Sequence, residues 1–125
     1  QRENYFLYKK ILENIDGLEF PKEDPDYFIN GYRLSVLTER RNDLLNFLKD
    51  HSEILYNFYP VPLPYLPVFS PYGRSPEGGK NLGYNKGDFA VAEKIAQKCL
   101  ILPTNNLITK ERARRIAGLV KEFLR

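Results

Sequence analysis

The sequence contains one histidine and one cysteine, two residue types that often serve in nucleophilic or zinc chemistry. The one histidine, His51, follows Asp50 at the polar end of an expected helix, and the one cysteine, Cys99, lies among apolar residues. A hydrolytic triad needs an oriented histidine beside its nucleophile, and a zinc site needs several nitrogen or sulfur ligands. We therefore expect no catalytic triad and no metal site, and we interpret Cys99 as a small buried hydrophobe that has no disulfide partner in the chain.

Two polar segments resemble ligand-binding loops only superficially. Residues 21–26 carry three carboxylates, but their spacing matches no calcium-binding loop, so a solvated acidic loop is predicted. Gly78-Gly79-Lys80 resembles part of a phosphate-binding loop. Position 74 is arginine where that motif needs its first glycine, and Asn81 replaces the metal-binding Ser or Thr. A surface turn is the prediction there.

The most distinctive segment is residues 56–72, which contain six aromatic residues and five prolines. Proline lacks a backbone donor and fixes φ, so the segment is predicted to be a stiff, extended loop rather than a helix or a central strand. Long loops inside compact domains are usually functional or disordered, and disordered segments are poor in aromatics. Two interpretations stay open: the loop presents its tyrosines to a ligand, or it covers the core of its own domain.

The elements before this loop follow from hydrophobic periodicity. Residues 3–15 are predicted as a helix, residues 18–20 as a short strand and residues 27–37 as a longer strand. Asn30-Gly31 in the longer strand predicts either a hairpin turn or a bulge. Thr38 is the expected N-cap of a second helix that runs to Asp50, and residues 54–59 are predicted as a strand.

After the loop, helical periodicity returns from Asp88. The predicted apolar face of this helix consists of Phe89, Ala92, Ile95, Ala96 and Cys99. A buried strand at 100–102 follows, and Thr109 caps a final helix whose other face is basic, which predicts a solvated face or a phosphate contact. Together these elements predict an α+β fold: a small antiparallel or mixed sheet of three to four strands, with helices packed on it and a long Pro/Tyr-rich loop.

Length and composition set the scale of the molecule. With 125 residues, 42% of them hydrophobic, the chain is predicted to form a single domain over residues 1–125. The net charge of +3 alone implies no polyanionic partner. No apolar run is long enough to span a bilayer, so no membrane association is expected. Because the sequence contains no methionine, we expect it to be part of a longer protein.

Five segments occur in order along nearly the whole chain: a linker helix at 2–12, Tyr32-Arg33-Leu34 with Arg41-Asn42-Asp43-Leu44, Tyr59-Pro60-Val61-Pro62-Leu63, the Ala-Glu-bearing helix at 87–96, and Leu102-Pro103 followed by a helix opened by Thr109. Together these segments resemble the DegT/StrS family of pyridoxal-phosphate sugar aminotransferases. The resemblance implies the C-terminal small domain of a fold type I aminotransferase. The catalytic lysine and most of the pyridoxal phosphate site would then lie on a large domain outside this chain, and the chain alone should be inactive.

The resemblance also implies a substrate and a location for the site. The substrate would be a nucleotide-linked keto sugar, with glutamate as amino donor, in a cytoplasmic homodimer, and the small domain would close the active-site cleft. Where the family often has histidines this chain has Phe58 and Pro64, so the sugar is expected to stack on Tyr59 and Tyr65. The predicted substrate-binding residues are Phe58, Tyr59, Pro60 and Tyr65.

A second hypothesis from another functional class also fits the composition. The basic helix and the exposed tyrosines would form a non-catalytic binding module for single-stranded nucleic acid or a protein partner. It predicts strongly salt-dependent oligonucleotide binding. The basic residues and the tyrosines are far apart in sequence, and no aromatic strand motif typical of RNA-binding domains is present, so nucleic acid is the less favoured ligand.

Overall fold

The computed structural model describes residues 1–56, 59–66 and 86–125. It divides into two compact units, one formed by Gln1–Asn57 with Lys98–Arg125 and the other by Phe58–Gln97. Within the described residues the elements follow in the order α1 (Arg2–Leu12), β1 (Leu34–Leu37), α2 (Arg41–Asp50), a 3-10 turn (Leu63–Tyr65), α3 (Ala90–Lys98), β2 (Cys99–Leu102) and α4 (Lys110–Leu124).

The α+β class is confirmed, but the sheet is smaller than predicted. In the described part of the chain, β1 and β2 form a two-stranded antiparallel sheet, where three to four strands were expected. The register pairs Leu34 with Leu102 and Val36 with Leu100, and all four side chains are fully buried. Each strand therefore places alternate residues on the face that packs against the helices.

The long strand predicted at 27–37 is wrong over its first half. The Asn30 side chain accepts a hydrogen bond from the backbone N–H of Tyr32, and Gly31 has a φ of +72°. An Asn side chain that bonds the backbone two residues on replaces a sheet hydrogen bond with a local turn. The residues before β1 therefore form a loop, and the pair at 30–31 makes neither the hairpin nor the bulge that the sequence suggested.

Two more predicted strands, at 18–20 and 54–59, are not strands in the described residues. Glu19 forms only an isolated antiparallel bridge with Leu37 on the free edge of β1. Residues 54–56 are not in a strand, and Ile54 and Tyr56 are largely exposed; positions 57 and 58 lie outside the described residues. Strand propensity becomes a strand only where an adjacent edge can accept its backbone hydrogen bonds.

The core of the first unit lies where α1, α2 and α4 pack with the inner face of the sheet. Tyr8 and Leu12 come from α1, Leu44 from α2, and Ile116 and Val120 from α4, all fully buried. Helix α4 packs against both α1 and α2, so its apolar face contributes to the contacts with each of the other two helices.

One of the two predicted helix caps is correct. The Thr109 hydroxyl accepts a hydrogen bond from the Arg112 N–H at 3.1 Å, which satisfies one of the donors that the start of α4 leaves unpaired. The prediction for Thr38 is wrong, because α2 begins at Arg41 with Arg40 as its N-cap. Thr38 instead accepts from the Arg40 N–H at 3.3 Å, in a turn just before the helix.

Helix α2 ends in a Schellman motif with a non-glycine residue in the left-handed position. The Ser52 N–H bonds the Lys49 carbonyl and the Glu53 N–H bonds the Leu48 carbonyl, while Ser52 has a φ of +63°. We expect Ser52→Gly to raise the free energy of unfolding by about 0.5 to 1 kcal/mol, because glycine adopts this conformation without steric cost. Urea unfolding followed by circular dichroism measures the change.

Ser35→Gly is the matched control for this stability prediction. Ser35 is exposed in the middle of β1, where glycine weakens a strand, so this variant should lose stability by about 0.5 to 1 kcal/mol. Equal losses for both variants would contradict the assignment of strain to Ser52.

The apolar face predicted for α3 is only partly buried. Ala96 is buried, whereas Ala92 is exposed and Ile95 keeps 45% of its surface accessible. Cys99, predicted to be buried, is intermediate in exposure because it is the outward-alternating first residue of β2. The periodicity identified the helix correctly, although it begins at Ala90 rather than Asp88.

Candidate functional site

The described part of the aromatic and proline-rich segment, residues 59–66, exposes most of its first five side chains and half-buries the last three. Tyr59 is 69% exposed, and Val61 and Leu63 are also exposed, while Pro62 and Tyr65 are half-buried. Pro60 is exposed beside Tyr59. The described part of the segment is thus a loop with several exposed apolar side chains, and Leu63–Tyr65 form a 3-10 turn rather than the extended backbone that was predicted. Of the predicted site residues, Phe58 lies outside the described residues.

Tyr59 has a backbone conformation that is unusual for its residue type. Its φ is +59°, in the left-handed region that costs a non-glycine residue roughly 1 to 2 kcal/mol. Strained residues of this kind concentrate at ligand-binding sites, where surrounding structure holds them in place. The strain and the exposure together make Tyr59 the strongest contact candidate among the described residues of the predicted site.

Tyr65 is held by α3 rather than left free. Its hydroxyl donates a hydrogen bond to the Glu93 carboxylate and accepts one from the Phe89 N–H at 3.4 Å. Its ring meets the Phe89 ring edge to face, with 6.0 Å between centroids. The second carboxylate contact comes from the Gly87 N–H, which donates to Glu93 at 2.6 Å.

The ionisation of this pair follows from its hydrogen bonds. The bond from Tyr65, together with the Gly87 N–H, lowers the pKa of the Glu93 carboxyl. Burial of the phenol, and then its bond to Glu93, raises the pKa of Tyr65. Tyr65 therefore keeps its proton and Glu93 its negative charge at neutral pH, which is the combination that a charge-assisted hydrogen bond needs.

Sequence patterns gave no reason to single out Glu93. It appears in the sequence only as one residue of the Ala-Glu-bearing helix, 28 positions from Tyr65. A glutamate in the first turn of a helix is common because it complements the helix dipole. Its presence there therefore predicts no tertiary contact, and the hydrogen bond from Tyr65 to Glu93 is seen only in the structure.

The basic face of α4 is partly neutralised by a buried carboxylate. Glu53 is 1% exposed, and its two oxygens bond Arg112 Nε at 3.0 Å and Arg115 Nη1 at 2.6 Å. Lys110 pairs with Glu3 at 2.8 Å. On the helix face predicted to be solvated, Lys110, Arg112 and Arg115 are therefore exposed and also engaged in ion pairs within the chain.

Other kinds of site find little support in the described residues. No group of three or more His, Cys, Asp or Glu side chains among them is arranged to hold a metal ion. None of their helices combines the length and hydrophobicity required to cross a membrane. His51 ends α2, where its ring Nδ1 lies 2.8 Å from the Phe47 carbonyl, so it is a helix-terminal residue as expected.

Comparison with known proteins identifies the family. The sequence model of the DegT/DnrJ/EryC1/StrS aminotransferase family matches residues 1–121. Because the match covers nearly the entire sequence, this chain belongs to the DegT/DnrJ/EryC1/StrS aminotransferase family. The resemblance predicted from the five ordered motifs is confirmed.

Two similar proteins are each about three times as long as this chain. A pleiotropic regulatory protein of Geobacillus stearothermophilus is 28% identical over 127 residues, which span 100% of this chain and 32% of that protein. The dTDP-3-amino-3,4,6-trideoxy-alpha-D-glucose transaminase of Streptomyces venezuelae is 27% identical over 116 residues, 93% of this chain and 28% of that one. The chain thus spans about a third of each relative.

A solved structure reproduces the fold. The crystal structure of DesV from S. venezuelae, in complex with a ketimine intermediate, superposes with a TM-score of 0.84 at 24% identity. The match covers 98% of this chain and 30% of that one. The fold of this chain therefore matches that of one segment of a longer chain.

Proposed function

We propose that this chain is the C-terminal small domain of a pyridoxal-phosphate-dependent aminotransferase that acts on a nucleotide-linked keto sugar. In this proposal glutamate is the amino donor and the complete enzyme is a cytoplasmic homodimer. The chain closes one side of the active-site cleft and contributes contacts to the sugar through Phe58, Tyr59, Pro60 and Tyr65. The observation that carries the proposal is a family match over nearly all of this chain but about a third of its relatives.

In this proposal the exposed loop at residues 59–66 binds the sugar through apolar contacts. A sugar ring presents apolar C–H faces between its hydroxyl groups, and an aromatic ring such as that of Tyr59 can cover such a face. The outward row of Tyr59, Val61 and Leu63 would exclude water from the sugar when the cleft closes. Proline residues in the loop limit its conformations, so less entropy is lost when the sugar binds.

Pyridoxal phosphate itself does not fit the described residues of this chain. The lysines among them are exposed or half-buried, and Lys9, Lys98 and Lys110 are in ion pairs. A cavity of about 470 Å³ lies beside the Glu19 and Leu37 bridge, but carboxylates dominate its charged lining: Glu13, Asp16, Glu19 and Glu39 against Lys98. An anionic phosphate would be repelled there. The proposal accordingly assigns the cofactor to protein outside this chain.

The test uses the complete polypeptide that carries this sequence in its reading frame. Purified with pyridoxal phosphate and supplied with a dTDP-linked keto sugar and glutamate, it should form the amino sugar and one equivalent of 2-oxoglutarate. Mass spectrometry detects the first product and a coupled dehydrogenase assay the second. Failure to transfer the amino group to keto sugars on any of several nucleotides would overturn the proposed function.

Tyr59→Ala provides a prediction for the loop within that enzyme. Removing the ring should raise the KM for the nucleotide sugar roughly fivefold and change kcat by less than about twofold, because stacking stabilises bound substrate and transition state alike. Tyr56→Ala is the matched control, since Tyr56 is equally exposed at 70% but lies outside the proposed contacts. Equal effects of the two variants would remove Tyr59 from the site.

The binding-module alternative is weaker on the observed contacts. Arg112 and Arg115 are engaged by the buried Glu53, and Lys110 pairs with Glu3, so much of the positive charge on α4 is compensated. Affinity for nucleic acid derives largely from uncompensated positive charge facing phosphates. A titration with a fluorescent oligonucleotide at low salt tests this alternative directly.

A further inference from the structure

The loop that carries the proposed sugar contacts is hydrogen-bonded to α3 through the Glu93 carboxylate. Glu93 accepts hydrogen bonds from the Tyr65 hydroxyl and from the Gly87 N–H at 2.6 Å, so it joins the loop to the turn that precedes α3. The Tyr65 hydroxyl accepts the Phe89 N–H at 3.4 Å in the same turn. Three polar contacts therefore converge on two side chains.

The geometry of the loop makes this fastening effective. Tyr65 ends a 3-10 turn that is closed by the Tyr65 N–H to the Pro62 carbonyl at 2.9 Å and the Leu66 N–H to the Leu63 carbonyl at 3.1 Å. A tight turn transmits the position of one residue to its neighbours, because few dihedral angles remain free. Fixing Tyr65 thus fixes the direction in which the exposed Leu63 and the residues before it project.

The Glu93 carboxylate is a strong hydrogen-bond acceptor for the Tyr65 hydroxyl. It lies in the first turn of α3, where a negative charge is stabilised by the unpaired N–H groups of the helix start. The depressed pKa of Glu93 and the raised pKa of Tyr65 keep the bond between an ionised acceptor and a protonated donor. Bonds of this kind are about twice as strong as neutral ones.

We propose that Glu93 is a positioning residue for sugar binding: through Tyr65 it holds the loop at residues 59–66 in the orientation that presents Tyr59 to the substrate. The inference rests on the proposed function. It gives Glu93 a role that does not require contact with the sugar. It also predicts that the hydroxyl of Tyr65 acts through the loop, whereas the ring of Tyr59 acts on the substrate itself.

Kinetics of Glu93→Ala in the complete enzyme test the role. Alanine keeps helix propensity, so α3 should persist while both acceptor contacts are lost. The KM for the nucleotide sugar should rise roughly tenfold, the KM for glutamate should stay within about twofold, and kcat should change by less than about threefold. Glu93→Gln, which keeps an acceptor oxygen for Tyr65, should restore most of the loss.

A double-mutant cycle with Tyr65→Phe separates positioning from direct contact. If Glu93 acts through Tyr65, adding Glu93→Ala to Tyr65→Phe should raise the KM less than about twofold further. Hydrogen exchange supplies a readout independent of turnover: the Tyr65 and Leu66 amides should exchange at least about fivefold faster in Glu93→Ala. Glu122→Gln, an exposed glutamate on α4, is the control for removing a charge.

The possible failures are distinguishable. A wild-type enzyme that transaminates no nucleotide sugar overturns the proposed function, and the positioning role with it. An active wild type whose KM for the sugar is unchanged in Glu93→Ala overturns the positioning role alone. Equal rises in the KM values for glutamate and sugar also overturn it, because they would show general damage to the domain.

Discussion

Replacing Arg115 with alanine should lower the free energy of unfolding by about 3 kcal/mol, among the largest losses expected for a surface residue of this chain. The reason is the partner. Glu53 is 1% exposed, and Arg115 Nη1 lies 2.6 Å from its Oε1 atom. Without the Arg115 guanidinium, the buried Glu53 carboxylate keeps only one of its two positively charged partners. Arg115 also donates to the His51 carbonyl at 2.6 Å, so the end of α2 loses a hydrogen bond as well.

The stability loss in Arg115→Ala depends on the hydrogen bonds that Glu53 keeps in the variant. Arg112 still bonds the second Glu53 oxygen at 3.0 Å, so the loss should fall at the lower end of the range for breaking a buried ion pair. Glu53→Gln should cost less than Arg115→Ala. It removes the buried charge itself and leaves two arginines that are half exposed to water.

Chemical unfolding followed by circular dichroism measures these changes, and the neighbouring residue provides the control. Arg114 is exposed on α4 and carries the same charge, so Arg114→Ala should alter stability by no more than about 0.5 kcal/mol. Similar losses for Arg114→Ala and Arg115→Ala would show that helix charge, rather than the buried carboxylate, accounts for the effect.

The helices were predictable because their information is local. Periodic apolar residues identified α1 and α4 within a few residues of their ends, and Thr109 was recognised as a cap from its position alone. The sheet was less predictable, because a strand exists only with a partner. The segments at 27–33 and 54–56 have strand-like composition, yet the first contains a local turn and neither is a strand in the structure.

The site shows the same division between local and tertiary information. The prolines predicted a loop, and the family resemblance selected Tyr59 and Pro60 as expected sugar contacts, both of which are exposed. The positive φ of Tyr59 and the bond from Tyr65 to Glu93 could not be predicted. Both depend on how segments far apart in sequence pack, and neither residue type nor spacing predicts that packing. The Glu53 ion pairs, with partners about 60 positions away, escaped prediction for the same reason.

Gly31→Ala should cost about 3 kcal/mol of stability for a reason that no sequence pattern conveys. Two costs add: an alanine at a φ of +72° is strained by roughly 1 to 2 kcal/mol, and its Cβ atom would lie 2.4 Å from the Arg2 Cα atom. That contact is with backbone, so it cannot be relieved by turning a side chain. The start of α1 would have to move, which would disturb the bond from Arg2 Nε to the Ile29 carbonyl at 2.9 Å.

Gly118→Ala tests whether the loss at Gly31 is specific to its site. Gly118 lies exposed within α4, and a Cβ atom there would meet no described atom within 4 Å. Because alanine is the better helix former, this variant should gain up to about 1 kcal/mol. The same chemical change should therefore have opposite signs at two glycines, as measured by urea unfolding. A stability loss below about 1 kcal/mol for Gly31→Ala would mean that α1 does not pack against the loop before β1 as closely as the structure indicates.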